Sequence, residues 1–235
     1  MLRRTSLILA LSFLASGVGA AGAGPSATIS WDACDPVIVH RSFTGQAVYQ
    51  AVISGTGWGG RYRGHRFDLV WHAPSGGLPP EWWRIDVSVC IRGANFPSHT
   101  TSSVDPGCPN LGAPDFLDRS FTRMPFFGQP QDTPGIRLVA GFPGVDGVAT
   151  TRYTLWRVLF DLTYAEVGPD PFCGGAELPV CFQLVDGDYT DDLGIIHHDI
   201  ALENTLLHWQ NPAGDCLGAV PVRAGTWGAI KAQYR

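Results

Sequence analysis

Apolar residues recur at every second position along much of this chain, and that period of two limits its fold more than any other feature. Trp83, Ile85, Val87, Val89 and Ile91 alternate with Arg84, Asp86, Ser88, Cys90 and Arg92. Successive side chains of a strand point to opposite faces of a sheet, so the pattern reads as a half-buried strand. Thr151 to Tyr164 repeats it, with Trp156, Val158, Phe160, Leu162 and Tyr164 on one face and Arg157, Asp161 and Thr163 on the other. Phe67, Leu69 and Trp71 form a third stripe. Further strands are expected at Ala47 to Ile53, Ile136 to Ala140, Pro179 to Val185 and Ile200 to His208. The 29 glycines and 18 prolines fall mostly between these segments, where turns need them. About seven strands punctuated in this way predict an all-β chain, a sandwich of two antiparallel sheets. Two stretches break the pattern. Thr226 can cap a short helix ending at Arg235, with Trp227, Ile230 and Tyr234 on one face. Asn95 to Pro134 shows no sustained period and reads as a long loop.

The first 23 residues carry the signs of an export leader. Arg3 and Arg4 precede an apolar run, Leu7 to Leu14, that is too short to span a bilayer. Ala21-Gly22-Ala23 supplies the small residues that a signal peptidase reads, so cleavage is expected after Ala23. One β-sandwich domain of 212 residues, 24–235, would remain, without a membrane span. The whole chain has 16 basic and 21 acidic side chains. Loss of Arg3 and Arg4 leaves 14 against 21, a formal charge of −7, which argues against a nucleic-acid partner. All six cysteines lie beyond residue 23, and an even count in an exported chain points to disulfides. Fifteen connectivities are open. Position along the chain favours Cys173–Cys181 across a local turn, Cys90–Cys108 from a strand to the following loop, and Cys34–Cys216 joining the two ends.

Ser30-Trp31-Asp32-Ala33-Cys34 near the start of the mature chain, and Thr226-Trp227-Gly228-Ala229-Ile230-Lys231 at its end, resemble the ends of a family of secreted bacterial β-sandwich proteins. The strand pattern between them is similar to that of cohesin-like sandwiches. The resemblance implies a cohesin- or jelly-roll-like fold and secretion, and it carries no catalytic residue across. A dockerin-type partner would follow from analogy of fold alone.

Asp186-Gly187-Asp188-Tyr189-Thr190-Asp191-Asp192 is the densest carboxylate group. Calcium takes six to eight hard oxygen ligands, so Asp186, Asp188, Asp191 and Asp192 are candidate ligands for a structural calcium ion in an acidic turn. His197 and His198 follow, with His208 further on. In a strand, His197 and His198 face opposite ways, and ten extended residues separate His198 from His208 by roughly 33 Å. Glycoside hydrolysis needs two acids facing one bond. Glu81, Asp86, Asp161, Glu166 and Glu203 are available, but no local motif selects a pair. No Gly-x-Ser-x-Gly elbow occurs, and Gly55 to Gly60 leads into Arg61-Tyr62-Arg63 as a hairpin loop, not a phosphate cradle. Eight tryptophans raise carbohydrate binding, since flat rings stack on sugars. Trp71, Trp83 and Trp156 follow the apolar stripes, whereas Trp31, Trp58 and Trp82 lie near turns and are the candidate ligand contacts. The chain therefore reads as a secreted, non-enzymatic binding or structural module. It would recognise an extracellular protein or carbohydrate through loops, chiefly Asn95 to Pro134 and Gly55 to Gly60. A secreted carbohydrate-active hydrolase or carbohydrate-binding domain is the alternative.

Overall fold

The computed structural model describes residues 24–45, 48–83, 98–100, 107–112, 120–122, 135–162, 175–210 and 216. Its strands are β1 (Ser26–Trp31), β2 (His40–Arg41), β3 (Val48–Gly55), β4 (Gly60–His72), β5 (Ser98–Thr100), β6 (Ser120–Thr122), β7 (Gly135–Gly147), β8 (Tyr153–Asp161), β9 (Val180–Asp191), β10 (Ile196–His197), β11 (Ala201–Leu202) and β12 (Leu206–Trp209). One sheet runs β11-β1-β3-β8-β5. The other runs β2-β12-β9-β4-β7-β6, with β10 on the outer half of β9. Neighbours are antiparallel except at two edges, where β1 runs parallel to β11 and β2 runs parallel to β12. The two sheets stack as the sandwich that the alternation predicts.

The alternation also decides which residues fill the space between the sheets. Phe67, Leu69 and Trp71 of β4, Trp156, Val158 and Phe160 of β8, and Ile29 and Trp31 of β1 are all buried in one core. Trp31 joins the layers: its ring lies 6.0 Å from Phe160, 5.5 Å from Phe182 and 5.9 Å from Trp209. Each fully buried large side chain contributes roughly 1.5–3 kcal/mol. Indoles at this depth need a partner for the ring N–H. Trp31 Nε1 donates to the His208 carbonyl at 3.3 Å, and Trp209 Nε1 to the Ala176 carbonyl at 2.6 Å.

Several expectations change. Glu81–Trp83 forms a 3₁₀ turn, and the rest of the strand expected through Arg92 lies outside the described residues, as does the helix expected at 226–235. Among the described residues there is no α-helix. Within the stretch 95–134, residues 98–100 form β5 on β8 and residues 120–122 form β6 on β7, while most of the stretch lies outside the described residues. Ile200 to His208 is broken into β11 and β12, with Asn204 at φ 45° between them.

The cysteine scheme is overturned. Cys34 bonds Cys108 and Cys181 bonds Cys216, so the pairings Cys34–Cys216, Cys90–Cys108 and Cys173–Cys181 do not form. Strand order explains both bonds. Residues 107–112 run along the start of β8, where the Thr154 N–H donates to the Pro109 carbonyl at 2.8 Å, and β3 and β1 lie next across the sheet, bringing Cys34 there. Cys181 on β9 pairs with His208 on β12, and Cys216 follows that strand closely. Cys90 and Cys173 lie outside the described residues.

Candidate functional site

The acidic stretch expected to be a turn is the outer half of β9. Gly187 is the reason its glycine misleads: a Cβ there would lie 2.8 Å from the Phe67 ring. The glycine serves close packing of β9 on β4, not a reversal. Strand register then places Arg66 opposite Asp188, and Asp68 opposite both Asp186 and Arg137. Arg66 donates to Asp188 at 2.7 Å through Nε, to Asp186 at 2.6 Å through Nη2 and to Asp68 at 3.1 Å through Nη1. Arg137 grips Asp68 with two bonds, 2.8 Å from Nε and 2.7 Å from Nη2. Burial pulls the Arg66 guanidinium down, but Asp68, Asp186 and Asp188 outweigh it and the net shift is upward. The hydrogen bonds to Asp68 likewise raise Arg137. Both arginines are fixed cations in a layer of carboxylates.

The other two candidate calcium ligands lie apart from this cluster. Asp191 closes the β9–β10 hairpin: its Oδ1 accepts the Leu193 N–H at 3.0 Å and the Ile195 N–H at 2.8 Å. Its Oδ2 meets His197 Nε2 at 2.9 Å. The His197 bond, with the Ile195 N–H behind it, holds this carboxyl below the usual range. Asp192 is exposed. Among the described residues, no three carboxylates of this stretch come together at ligand distance. The His197 ring stacks on Tyr189, centroids 4.6 Å apart and planes 9° apart. On that braced base the hairpin tip presents Leu193, Ile195 and Ile196, which are 76%, 52% and 56% exposed.

The candidate sugar-stacking rings are buried. Trp31 and Trp58 are fully enclosed and Trp82 nearly so, because each completes the core instead of capping it from outside. Trp58 Nε1 donates inward to the Ser26 carbonyl at 3.2 Å, so the Gly55 to Gly60 turn seals one end of the sandwich. Of the histidines, His208 is tied to the disulfide, with Nδ1 3.0 Å from Cys216 Sγ. Burial, with His40 nearby, lowers its pKa. Cys181, His208 and Cys216 bring three ligand-type atoms within 4.8 Å of one another, but the disulfide occupies both sulfurs. His198 reaches towards Asp188, its Nδ1 3.6 Å from the carboxylate. A cleft of about 410 Å³ opens at the hairpin end of the molecule, where Gly24, Thr56, Thr150, Asp199 and Glu203 are among the lining residues.

Sequence reasoning missed Arg66, Arg137 and the hairpin aliphatics. The first was signalled in the stripe itself: the outward positions beside Phe67 and Leu69 are Arg66 and Asp68, charged residues of opposite sign two apart. The aliphatics were hidden because Leu193-Gly194-Ile195-Ile196 looks like core material until its neighbours are known.

No protein-family model matches the chain, and no curated protein matches it. Solved structures do. The cohesin module of a family 33 glycoside hydrolase from Clostridium perfringens is 11% identical, covering 80% of this chain and 97% of that one with a TM-score of 0.42. A non-cellulosomal cohesin from Archaeoglobus fulgidus is 11% identical, with coverage of 80% and 91% and a TM-score of 0.39. A type II cohesin domain from the cellulosome of Acetivibrio cellulolyticus is 10% identical, with coverage of 80% and 95% and a TM-score of 0.40. The chain's own strand pairing makes it a two-sheet β-sandwich, and it is distantly similar to these cohesin modules.

Proposed function

We propose that the chain is exported, loses residues 1–23, and works as a non-enzymatic recognition module that binds a protein partner through the turns at one end of its sandwich. The observation that carries this reading is the β9–β10 hairpin. Three large aliphatic side chains within four residues stand in solvent on a turn held by Asp191 and by the His197–Tyr189 stack. Clustered exposed apolar side chains on a rigid base are what a partner's surface covers. The two disulfides fit an oxidising compartment. A photo-crosslinking residue at position 193, in the native host, tests the reading. A specific protein adduct is expected there and not from a second probe at Val37, and it should vanish in an Ile195→Asp/Ile196→Asp variant whose melting temperature is unchanged. Equal labelling at both positions would overturn the assignment.

A hydrolytic site is less well supported, because the gathered acids Asp68, Asp186 and Asp188 are all bound by Arg66, which fills the space between them. Carboxylates engaged by one guanidinium in this way leave no opening between them for a glycosidic bond. Calcium at Asp186 to Asp192 meets the same obstacle, since Arg66 already supplies positive charge. We expect melting in excess calcium and in chelator to coincide for the natural chain and to separate once Arg66→Gln removes the competing cation. A separation already present in the natural chain would restore calcium as a resident ion.

A further inference from the structure

The parallel pairing of β1 with β11 sets Ser26 opposite Ala201 and Ala27 opposite Leu202. The Ala201 N–H donates to the Pro25 carbonyl at 2.9 Å, and the Ser26 N–H to the Thr56 carbonyl at 2.8 Å. Continued two residues towards the start of the chain, the same register brings Gly24 level with Asp199. Both residues line the cleft described above, together with Glu203. Asp199 and Glu203 flank β11 on either side and both line the cleft, four residues apart, about 13 Å of extended chain. No basic side chain is among the lining residues. Among the described residues, neither acid takes part in an ion pair. The cleft thus has negative charge at the level of Gly24 and no positive charge of its own.

We propose that this cleft is the seat of the chain's own processed amino terminus. Hydrolysis of the Ala23–Gly24 peptide bond consumes one water, releases residues 1–23 with a new carboxylate, and leaves an ammonium on Gly24. That ammonium pairs with the Asp199 carboxylate and fastens β1 to β11. Before cleavage the same nitrogen is a neutral amide, so the clasp belongs to the mature form alone. The inference rests on the export and cleavage proposed above.

The charges around the group are few. From the β10–β11 side, Asp199 and Glu203 face it. The turn at Thr56 and the turn at Ala149 and Thr150 contribute nothing that titrates. Behind Asp199 stand Tyr62 and Tyr189, raised chiefly by burial and then by neighbouring charges that include Asp199, so both stay neutral near pH 7. An α-amine ordinarily titrates at about 7.7–8.0. Beside Asp199 it should titrate higher. The clasp is then complete below the ordinary value and is lost as the pH rises through the folded one.

The chain suits a direct measurement, because Lys231 is its one lysine. Reductive ¹³C-methylation of the exported, mature protein therefore gives two amine signals, from Gly24 and Lys231. We expect N-terminal sequencing to begin at Gly24 and the Gly24 signal to titrate above the ordinary α-amine range. Asp199→Asn should return it to that range, while Glu203→Gln, farther along the cleft, should move it less than half as far. A form retaining Ala21 to Ala23 should show an ordinary amine and melt about 2–4 °C lower at low salt, the size of a single ion pair in a chain of this length. A different first residue would overturn the cleavage reading. A Gly24 amine that titrates normally and ignores Asp199→Asn would overturn the clasp while leaving cleavage intact.

Discussion

His65 stands inside the apolar layer, where its ring lies within 6.0 Å of Trp58, 5.6 Å of Phe67, 5.3 Å of Phe142 and 5.9 Å of Trp156. Burial pushes its pKa down to about 4 from an ordinary value of 6.5. The folded chain therefore holds this imidazole neutral, whereas the unfolded chain takes up a proton below pH 6.5. Stability should be complete above pH 6.5 and fall progressively as the pH drops towards 4, by about 3 kcal/mol at most from this one residue. His65→Phe keeps the ring and deletes the proton site. Its melting temperature should lose most of the slope between pH 6.5 and 4 while matching the parent at pH 8. A parent curve already flat across that window would mean that the ring is reached by water.

Strand β8 shows how far alternation can be trusted. Trp156, Val158 and Phe160 are buried while Arg157, Leu159 and Asp161 are not, as a period of two requires. Val158→Ala should cost about 1–3 kcal/mol through lost burial and a small cavity. Arg157→Ala, which loses bonds to Gln50 Oε1 at 3.2 and 2.7 Å near the surface, should cost less than about 1 kcal/mol. Urea midpoints of the two variants compare the faces directly, and a larger loss at Arg157 would reverse the strand. The inward stripes of β4 and β8, and thereby the sandwich, were legible because they depend only on neighbours two residues away. The length of β9 was not. Asp186-Gly187-Asp188 has the composition of a turn, and only the opposing Arg66 and the Phe67 ring make it a strand. Leu155 is buried beside Trp156 against the alternation, because the β3–β8 ladder shifts register at Ile53/Ser54. The hairpin site was hidden for the same reason, since what brings Asp191 to His197 is a pairing partner and not a motif.

At the scale of the molecule, disulfides fasten segments that are far apart in the chain, with separations of 74 residues for Cys34–Cys108 and 35 for Cys181–Cys216. Loop-closure entropy assigns each about 4 kcal/mol as an upper figure. Cys34→Ala/Cys108→Ala and Cys181→Ala/Cys216→Ala should therefore lower stability by similar amounts despite a twofold difference in loop length, because the dependence is logarithmic. Calorimetry of the two variants makes the comparison. A gap of several kcal/mol would mean that packing around one bond, for instance His208 against Cys216, outweighs the closure entropy. The parallel edges have a consequence for how the chain comes to its final form. β1 is the first of the described strands to be synthesised, yet it lies between β3 and β11, and β2 lies beside β12. Neither edge can be completed until residues 201–209 have also been made. During that interval the outer flank of β1 stands open as an unpaired template, the condition under which strands of different chains join one another. Contacts this distant in sequence also make for slow folding. A protein built in this way closes its parallel edges last, and its yield will depend on what shields that flank while the final strands are still being made.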